Sequence, residues 1–347
     1  MLLSQYTTLG LGGPAKSFVT AGTDDELVAA VRAADAASVP VLVLGGGSNL
    51  VIADEGFPGT VAHVATRGVC YARDGDGVQV TVAAGENWDD IAAATVAEGL
   101  AGLECLSGIP GRAGATPIQN VGAYGQEVAE VITSVRVYDR VKDSVFPMPN
   151  ESLAFAYRTS MLKRSGGRYV VLGVTFGLHD EKLSRPVRYA ELAAELGVSM
   201  GERVPCADAR SAVLVIRGRK GMVISPGDPD SRSAGSFFTN PILDAGQLAH
   251  VAAVAQARGI GPVPRFDAGD GRVKVPAAWL IERSGFTKGY GTPGPAHVST
   301  KHTLALVNAG DATTADLLTL AREIVAGVRG AFGVTLDPEP VMVGATL

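Results

Sequence analysis

Several short segments of this chain carry residue types that could do chemistry. Gly45-Gly-Gly-Ser-Asn49 follows the apolar run Val41 to Leu44. Three successive glycines let backbone approach a ligand closely, and their consecutive amides can form a nest for an anion such as a pyrophosphate. The same letters also suit a tight turn between two strands. A longer segment, Gly108 to Gly125, places Ile109, Ile118, Val121 and Tyr124 among glycines and polar Thr116, Gln119 and Asn120. That mixture suits a bed for a large planar ligand with a phosphate tail. An ordered loop packed on itself is the alternative, and the length of the segment favours ligand binding.

Three further segments supply polar groups. Arg158, after Tyr157, is either a strand-end charge that snorkels or an anion clamp, since guanidinium grips carboxylate bidentately. In Ser233-Ala-Gly-Ser-Phe-Phe-Thr-Asn-Pro241, Ser236 could face a cleft while Phe237 and Phe238 dock. Pattern alone favours a serine in a turn beside two core aromatics. Glu339, between Pro338 and Pro340, has a restricted backbone, and by itself reads as a solvated acid. Gly289-Tyr-Gly-Thr-Pro-Gly294 spells a dinucleotide fingerprint, but that motif needs a strand before it and a helix after it. A helical pattern precedes it, and Pro293 and Pro295 forbid a following helix. It reads as a loop.

The elements that must position these groups are legible in part. Thr23-Asp-Asp-Glu26 is a capping box that opens a helix with Leu27, Val31 and Ala34 on one face. Val39 to Leu44 reads as a buried strand and Val78, Val80 and Val82 alternate as another; Trp88 to Glu98 reads as a helix ended by Gly99. Five glycines and two prolines between Gly108 and Gly125 exclude a regular helix there. Val131 to Tyr138 and Tyr169 to Leu178 read as strands. Leu243 to Arg258, Pro276 to Arg283 and Thr313 to Phe332 read as helices, with a boundary near Val213 to Lys220 and an extended strand after Val334. The texture is that of an α/β or α+β protein.

Composition excludes several classes. The chain has 347 residues, 30 Lys and Arg against 35 Asp and Glu, and a formal net charge of −5 without a long basic run. That argues against a nucleic-acid or anionic-membrane partner. The start, Met1 to Lys16, reads as no signal peptide, and no apolar stretch is long enough for membrane insertion. Cys70, Cys105 and Cys206 read as reduced thiols of a cytoplasmic protein, and the histidines lack metal-ligand spacing, so no metal site is expected. Glycine is in excess, at 44 residues, and its location is informative.

The motifs Gly45-Gly-Gly-Ser-Asn49, Gly108-Ile-Pro-Gly111 with Pro117 to Gly125, Tyr157-Arg158, Gly235 to Pro241 and Pro338-Glu339 come in an order that resembles the UDP-N-acetylenolpyruvoylglucosamine reductases of peptidoglycan synthesis. The resemblance covers nearly the whole chain. It implies an α+β fold of three domains, two forming a vanillyl-alcohol-oxidase-like FAD-binding fold and the third an α/β substrate domain. The expected division is residues 1–66 with 334–347, residues 67–213, and residues 214–333. It implies reduction of an enolpyruvyl ether through FAD, with NADPH as co-substrate, and is read here as the work of a monomer.

The resemblance also implies site residues. FAD contacts would come from Gly45, Gly46, Gly47, Ser48 and Asn49, and from Ile109, Pro110, Gly111, Gly114, Ala115, Thr116, Ile118, Gln119, Gly122 and Tyr124. Arg158, Ser236 and Glu339 would be catalytic: Arg158 against enolate charge, Ser236 as proton donor, Glu339 as a protonated donor beside Arg158. Tyr189, in a segment similar to the tyrosine loop of one subclass, would bind substrate with Arg217, Lys220 and Asn240. Where some members carry an arginine two positions after the counterpart of Glu339, this chain has Val341. Gly45 to Asn49 contains no histidine or cysteine, so FAD is expected to be non-covalent. A sugar or aldonolactone oxidase of the same fold would account for the glycine loops but not for Ser236, Arg158 and Glu339 together. A binding module without turnover would leave those three side chains without a task.

Overall fold

Thr23 and Glu26 cap each other reciprocally in the computed structural model, which describes residues 1–75 and 77–347. The Thr23 hydroxyl accepts the Glu26 N–H at 3.2 Å and the Glu26 carboxylate accepts the Thr23 N–H at 3.2 Å, opening helix Asp24–Ala36. The chain divides into two compact units.

The first unit comprises residues 1, 15–47 and 58–219. Its smaller sheet has three strands, in the order Ala15–Ala21, Phe57–Val64, Val41–Leu44. The last two run parallel, with Leu44 opposite His63, so the Gly45 turn leaves from the carboxyl end of a parallel pair. The larger sheet is antiparallel, in the order Ser144–Pro149, Ile132–Asp139, Tyr169–Asp180, Gly77–Ala83, Val69–Asp74, and the short strand Leu100–Ala101 also pairs with Tyr169–Asp180. The alternating Val78, Val80 and Val82 are buried with Val135, Val137, Val174 and Phe176, as period-two strands with one covered face require. Helix Trp88–Ala97 is capped by the Asn87 side chain, which accepts from the Asp89 and Asp90 N–H groups. Trp88 is fully buried, 5.7 Å from the Phe176 ring, and its indole N–H donates to Leu106 O at 2.9 Å.

The second unit comprises residues 2–14, 48–57 and 220–347. Strands Ser233–Ser236, Ala305–Asn308 and Ala296–Val298 form one sheet in that order. Helices Ala245–Ala257, Ala277–Arg283 and Thr314–Phe332 contribute Val251, Leu280, Ile281, Leu317, Ile324 and Phe332 to a core shared with Phe237 and Phe238. The Asp54 carboxylate accepts the Thr314 and Ala315 N–H groups at 2.8 and 3.0 Å. An anion at that helix N-terminus is favoured by the dipole. The expected C-terminal strand is Val341–Val343, paired in parallel with Leu50–Ile52.

The expected helices and strands named above are present within one to two residues of their bounds, except that the strand expected after Val334 begins only at Val341. Gly289 to Gly294 is a turn between helix Ala277–Arg283 and strand Ala296–Val298, as its prolines require. The boundary expected near Val213 to Lys220 falls at the end of a helix: Cys206–Arg219 runs through that region, and the units divide after Arg219. Among the described residues no helix is long and apolar enough to cross a membrane, and no group of three His, Cys, Asp or Glu side chains could hold a metal ion. Cys105 and Cys206 are buried thiols; burial, the larger cause, pushes Cys206 up to about 12.

Candidate active site

The two glycine-rich segments of the first unit meet backbone to backbone. A Cβ added to Gly46 would lie 2.7 Å from Gly111 Cα, and one on Gly114 would lie 2.5 Å from Ala84 Cβ. Only glycine permits this approach. Hydrogen bonds fix the second segment against the start of helix Trp88–Ala97: Trp88 N–H to Gly111 O (3.1 Å), Ala113 N–H to Glu86 O (2.9 Å) and Gly114 N–H to Ala84 O (2.9 Å). Its beginning is held by Asp89, which accepts the Gly108 N–H at 2.6 Å and a bidentate pair from Arg210 at 2.6 and 3.0 Å. Burial would raise the Asp89 carboxyl, but Arg210 and the Gly108 N–H outweigh it and hold the group below its usual range. The segment then runs through a single 3-10 turn, Ala113–Ala115, to the hairpin Gly122–Ala123 with Gln126–Glu127. Thr116 and Asn120 are buried, whereas the Ile118 side chain is exposed.

Arg158 is mounted on this bed. Ala156 and Thr159 exchange backbone hydrogen bonds at 3.0 and 3.1 Å, making Tyr157 and Arg158 the tip of a tight turn, with Arg158 at φ 54. Its guanidinium donates to Gly122 O at 3.0 Å. The turn is locked by Ser160 Oγ donating to Ile118 O (2.6 Å) and Asn120 Nδ2 donating to Ala156 O (3.2 Å). Asn120, Tyr124 and Ala154 also have positive φ. Four non-glycine residues in the left-handed region around one loop is a concentration of backbone strain, and strain persists only where surrounding contacts enforce it. The structure therefore joins Arg158 to the segment 108–125, and it is not a simple strand-end charge.

Tyr124 and Tyr189 meet edge to face, with ring centroids 5.4 Å apart. Burial pushes the Tyr124 hydroxyl up to about 12. Tyr189 precedes helix Ala190–Leu196 and is 42% exposed, leaving its face available to a ligand. Arg217 is buried over Gly108, where an added Cβ would come within 3.3 Å of its Nε. Its position supports the start of the glycine segment.

In the second unit, the chain from Asp337 to Val341 is laced to two segments expected from sequence. Glu339 N–H donates to Phe237 O at 2.9 Å, Asn49 Nδ2 to Glu339 O at 3.4 Å, and Val341 N–H to Asn49 O at 2.9 Å. Ser236, Asn49 and Glu339 are thus neighbours. Phe237 and Phe238 are core residues with rings 5.1 Å apart. Ser236 remains half-buried, and among the described residues its hydroxyl has no hydrogen-bond partner. Of the bland reading, the core aromatics are present, but Ser236 ends strand Ser233–Ser236 and does not lie in a turn. Asn240 Oδ1 accepts the Ala277 N–H at 2.9 Å, which leaves its amide N–H groups to any ligand. Lys220 directly follows helix Cys206–Arg219.

Sequence reasoning passed over two residues here. Glu104 is fully buried, accepting from Gly102 N–H (2.6 Å), Gln126 Nε2 (2.7 Å) and Arg185 N–H (2.7 Å). It ties the hairpin after Tyr124 to the strap leading to Tyr189. Arg112, inside the glycine segment, lies along Gly45; its letter among small residues was the one available signal.

Comparison with known proteins bears on both units. Residues 15–142 match the FAD binding domain model, and residues 228–343 match the model of the UDP-N-acetylenolpyruvoylglucosamine reductase C-terminal domain. The UDP-N-acetylenolpyruvoylglucosamine reductase of Thermobifida fusca is 58% identical over 349 aligned residues, covering 99% of this chain and 97% of that protein. The chain belongs to the UDP-N-acetylenolpyruvoylglucosamine reductase family. The Streptomyces avermitilis reductase is 58% identical, covering 99% of this chain and 94% of that one. The crystal structure of the Thermus caldophilus reductase is 28% identical with a TM-score of 0.64, covering 99% of this chain and 97% of that chain. As a member of the reductase family the chain is an FAD-containing oxidoreductase of α+β, multi-domain FAD-binding fold. The backbone cradle around Gly46, Gly111 and Gly114 fits that cofactor, since a Cβ at Gly46 or Gly114 would strike Gly111 or Ala84, and Gly111 itself has φ 125, so bare backbone faces any ligand there.

Proposed function

We propose that this chain reduces the enolpyruvyl group of UDP-N-acetylglucosamine enolpyruvate to the lactyl ether of UDP-N-acetylmuramate, with NADPH as reductant and non-covalent FAD as carrier. What supports the reading most is the Arg158 turn, strained and hydrogen-bonded onto the glycine segment of an FAD-binding domain. FAD held by Gly45 to Asn49 and by the segment Ile109 to Tyr124 would supply hydride transfer from NADPH to the substrate alkene.

The proposed roles of the protein groups follow from charge. Hydride addition at the alkene carbon remote from the carboxylate moves the π electrons toward that carboxylate as an enolate. Arg158 stabilises this charge, an effect worth about 10²- to 10³-fold for one preorganised donor. Ser236 Oγ gives its proton to the remaining alkene carbon, closing the new C–H bond, and regains one from solvent; positioned acids contribute about 10²- to 10⁴-fold. Glu339 acts as a neutral hydrogen-bond donor, since an ionised carboxylate would repel the enolate. Tyr189, Arg217, Lys220 and Asn240 bind the UDP-sugar in this reading, and membership of the tyrosine-loop subclass is part of the same proposal.

FAD contacts in this reading come from Gly45 to Asn49 and from the segment Ile109 to Tyr124. The functional division is residues 1–66 with 334–347 and residues 67–213 around FAD, and residues 214–333 over the UDP-sugar. The enzyme works in the cytoplasm as a monomer, without nucleic acid. The test is steady NADPH oxidation that depends on the enolpyruvyl sugar, with a product two hydrogens heavier. Reduced flavin that oxygen reoxidises rapidly while the sugar leaves it unchanged would overturn the reading in favour of an oxidase.

A further inference from the structure

The turn Gly45 to Gly47 is bordered by more positive charge than the protein balances. Leu44, which opens the turn, is paired with His63 at the end of the parallel strands. Arg112 lies along the turn, its Cγ 3.5 Å from where a Gly45 Cβ would stand. Its Nε is buried and among the described residues has no hydrogen-bond partner. Arg67 is already engaged, donating to Gly85 O at 2.8 Å and to Glu86 Oε2 at 3.1 Å, and the second oxygen of Glu86 accepts the Gly68 N–H at 2.7 Å. Glu86 and Asp90 therefore favour Arg112 only at longer range. Burial first, then Arg112 and Arg67, hold His63 below its ordinary value, and burial, then Arg67, lowers Arg112. Among the described residues the Gly46 and Gly47 N–H groups find no protein acceptor. A buried guanidinium donor and two free amides at one turn are complementary to an anion carrying several oxygens.

We propose that Arg112 is an anion-gripping residue that holds the diphosphate of FAD beside the Gly45–Gly47 turn. The inference rests on the FAD reading above and deepens it. The isoalloxazine and adenine rings are neutral, so the diphosphate is the part of the cofactor that matches a guanidinium fork. The planar fork gives two parallel N–H···O bonds, a geometry that an ammonium does not reproduce. A diphosphate could also come from the UDP-sugar, and the arms of the test separate the two.

Full-length protein is stripped of flavin and titrated with FAD, with riboflavin as the probe lacking diphosphate, for wild type, Arg112→Ala and Arg112→Gln. Removing a half-buried cation whose buried Nε has no protein acceptor among the described residues leaves the flavin-free protein at or above the wild-type melting temperature. The Kd for FAD rises about 10- to 100-fold in both variants, the range expected for one lost charge-assisted bond. The Kd for riboflavin and the KM for the UDP-sugar stay at wild-type values, and FAD binding becomes less sensitive to salt. Wild-type FAD affinity in Arg112→Gln overturns the assignment, as does an equal weakening of riboflavin, which would mark a packing role. A raised KM for the UDP-sugar with FAD affinity intact would assign the residue to substrate instead. Should the alanine variant fold poorly, the glutamine variant, which keeps the length and a polar head, decides on the same readouts. A wild-type chain that takes up no FAD contradicts the cofactor reading; a yellow wild type with unaltered variants contradicts only Arg112.

Discussion

Arg158 and Ser236 are prepared for opposite tasks by opposite surroundings. The arginine is fixed in a left-handed backbone conformation that costs on the order of 1–3 kcal/mol, and its guanidinium is aimed by Gly122 O. The serine ends the irregular strand Ser233–Ser236, just after Gly235 at φ 73, and among the described residues its hydroxyl is unengaged. A group without a competing protein partner can give up its proton, so Ser236→Ala should leave reduction of the flavin by NADPH at its wild-type rate. Reoxidation by the enolpyruvyl sugar should slow by about 10²- to 10⁴-fold. Stopped-flow absorbance separates these half-reactions, and equal slowing of both would make Ser236 structural. Ser236, Arg158 and Glu339 stand out in the sequence only through the order of motifs that carries the family resemblance, since each alone also suits a bland reading: a turn serine, a strand-end charge and a solvated acid. Glu104 and Arg112 are not visible in that way. Their significance lies in hydrogen bonds made or missing with residues up to 81 positions away, as between Glu104 and Arg185.

At the scale of elements, the site depends on segments held apart or together by single contacts. Gly46 and Gly111 touch through bare backbone, so Gly46→Ala must push the two glycine segments apart. Overpacking of this kind costs about 1–3 kcal/mol. The variant should keep its far-ultraviolet circular dichroism and lose most of its FAD content, read as the ratio of flavin to protein absorbance. Full retention of FAD would show that the two segments need not meet. A second prediction concerns the turn after strand Ile132–Asp139. Asp139 is buried and accepts Arg168 bidentately at 2.9 and 2.6 Å, together with the Val141 and Lys142 N–H groups. The Arg168 guanidinium, against burial, and then those N–H groups hold its carboxyl at about 2, below an ordinary 3.8. A carboxyl lowered in the folded state stabilises it above the unfolded value, and that contribution is lost as pH falls through the folded one. Asp139→Asn should therefore lower the urea midpoint at neutral pH, and its deficit should shrink as pH drops from 3.8 toward 2. A deficit independent of pH would assign the loss to packing. The helices with capping boxes and the alternating valine strand were legible because their signals are local. Strands Val69–Asp74 and Ser144–Pro149 lack such signals; their partners across the sheet define them.

Across the whole molecule, the glycine excess resolves into position. Of 44 glycines, those at Gly46, Gly111 and Gly114 form the cradle, whereas Gly289 to Gly294, which spells a dinucleotide fingerprint, is an ordinary turn before a strand. Each unit holds part of the expected chemistry. The first carries both glycine segments, Arg158 and Tyr189, and the second carries Asn49, Ser236 and Glu339. The C-terminal strand Val341–Val343 could be read from its apolar letters, but its parallel pairing to Leu50–Ile52, which brings Glu339 beside Asn49, could not. Long-range pairing of this kind leaves no local trace in the letters. The central claim is that one flavin connects NADPH to an enolpyruvyl sugar. Anaerobic visible absorbance of the purified protein tests it most directly. The account predicts a flavin band that NADPH bleaches and that returns when UDP-N-acetylglucosamine enolpyruvate is added. A band that stays bleached with that sugar present, and returns only with oxygen, would contradict it.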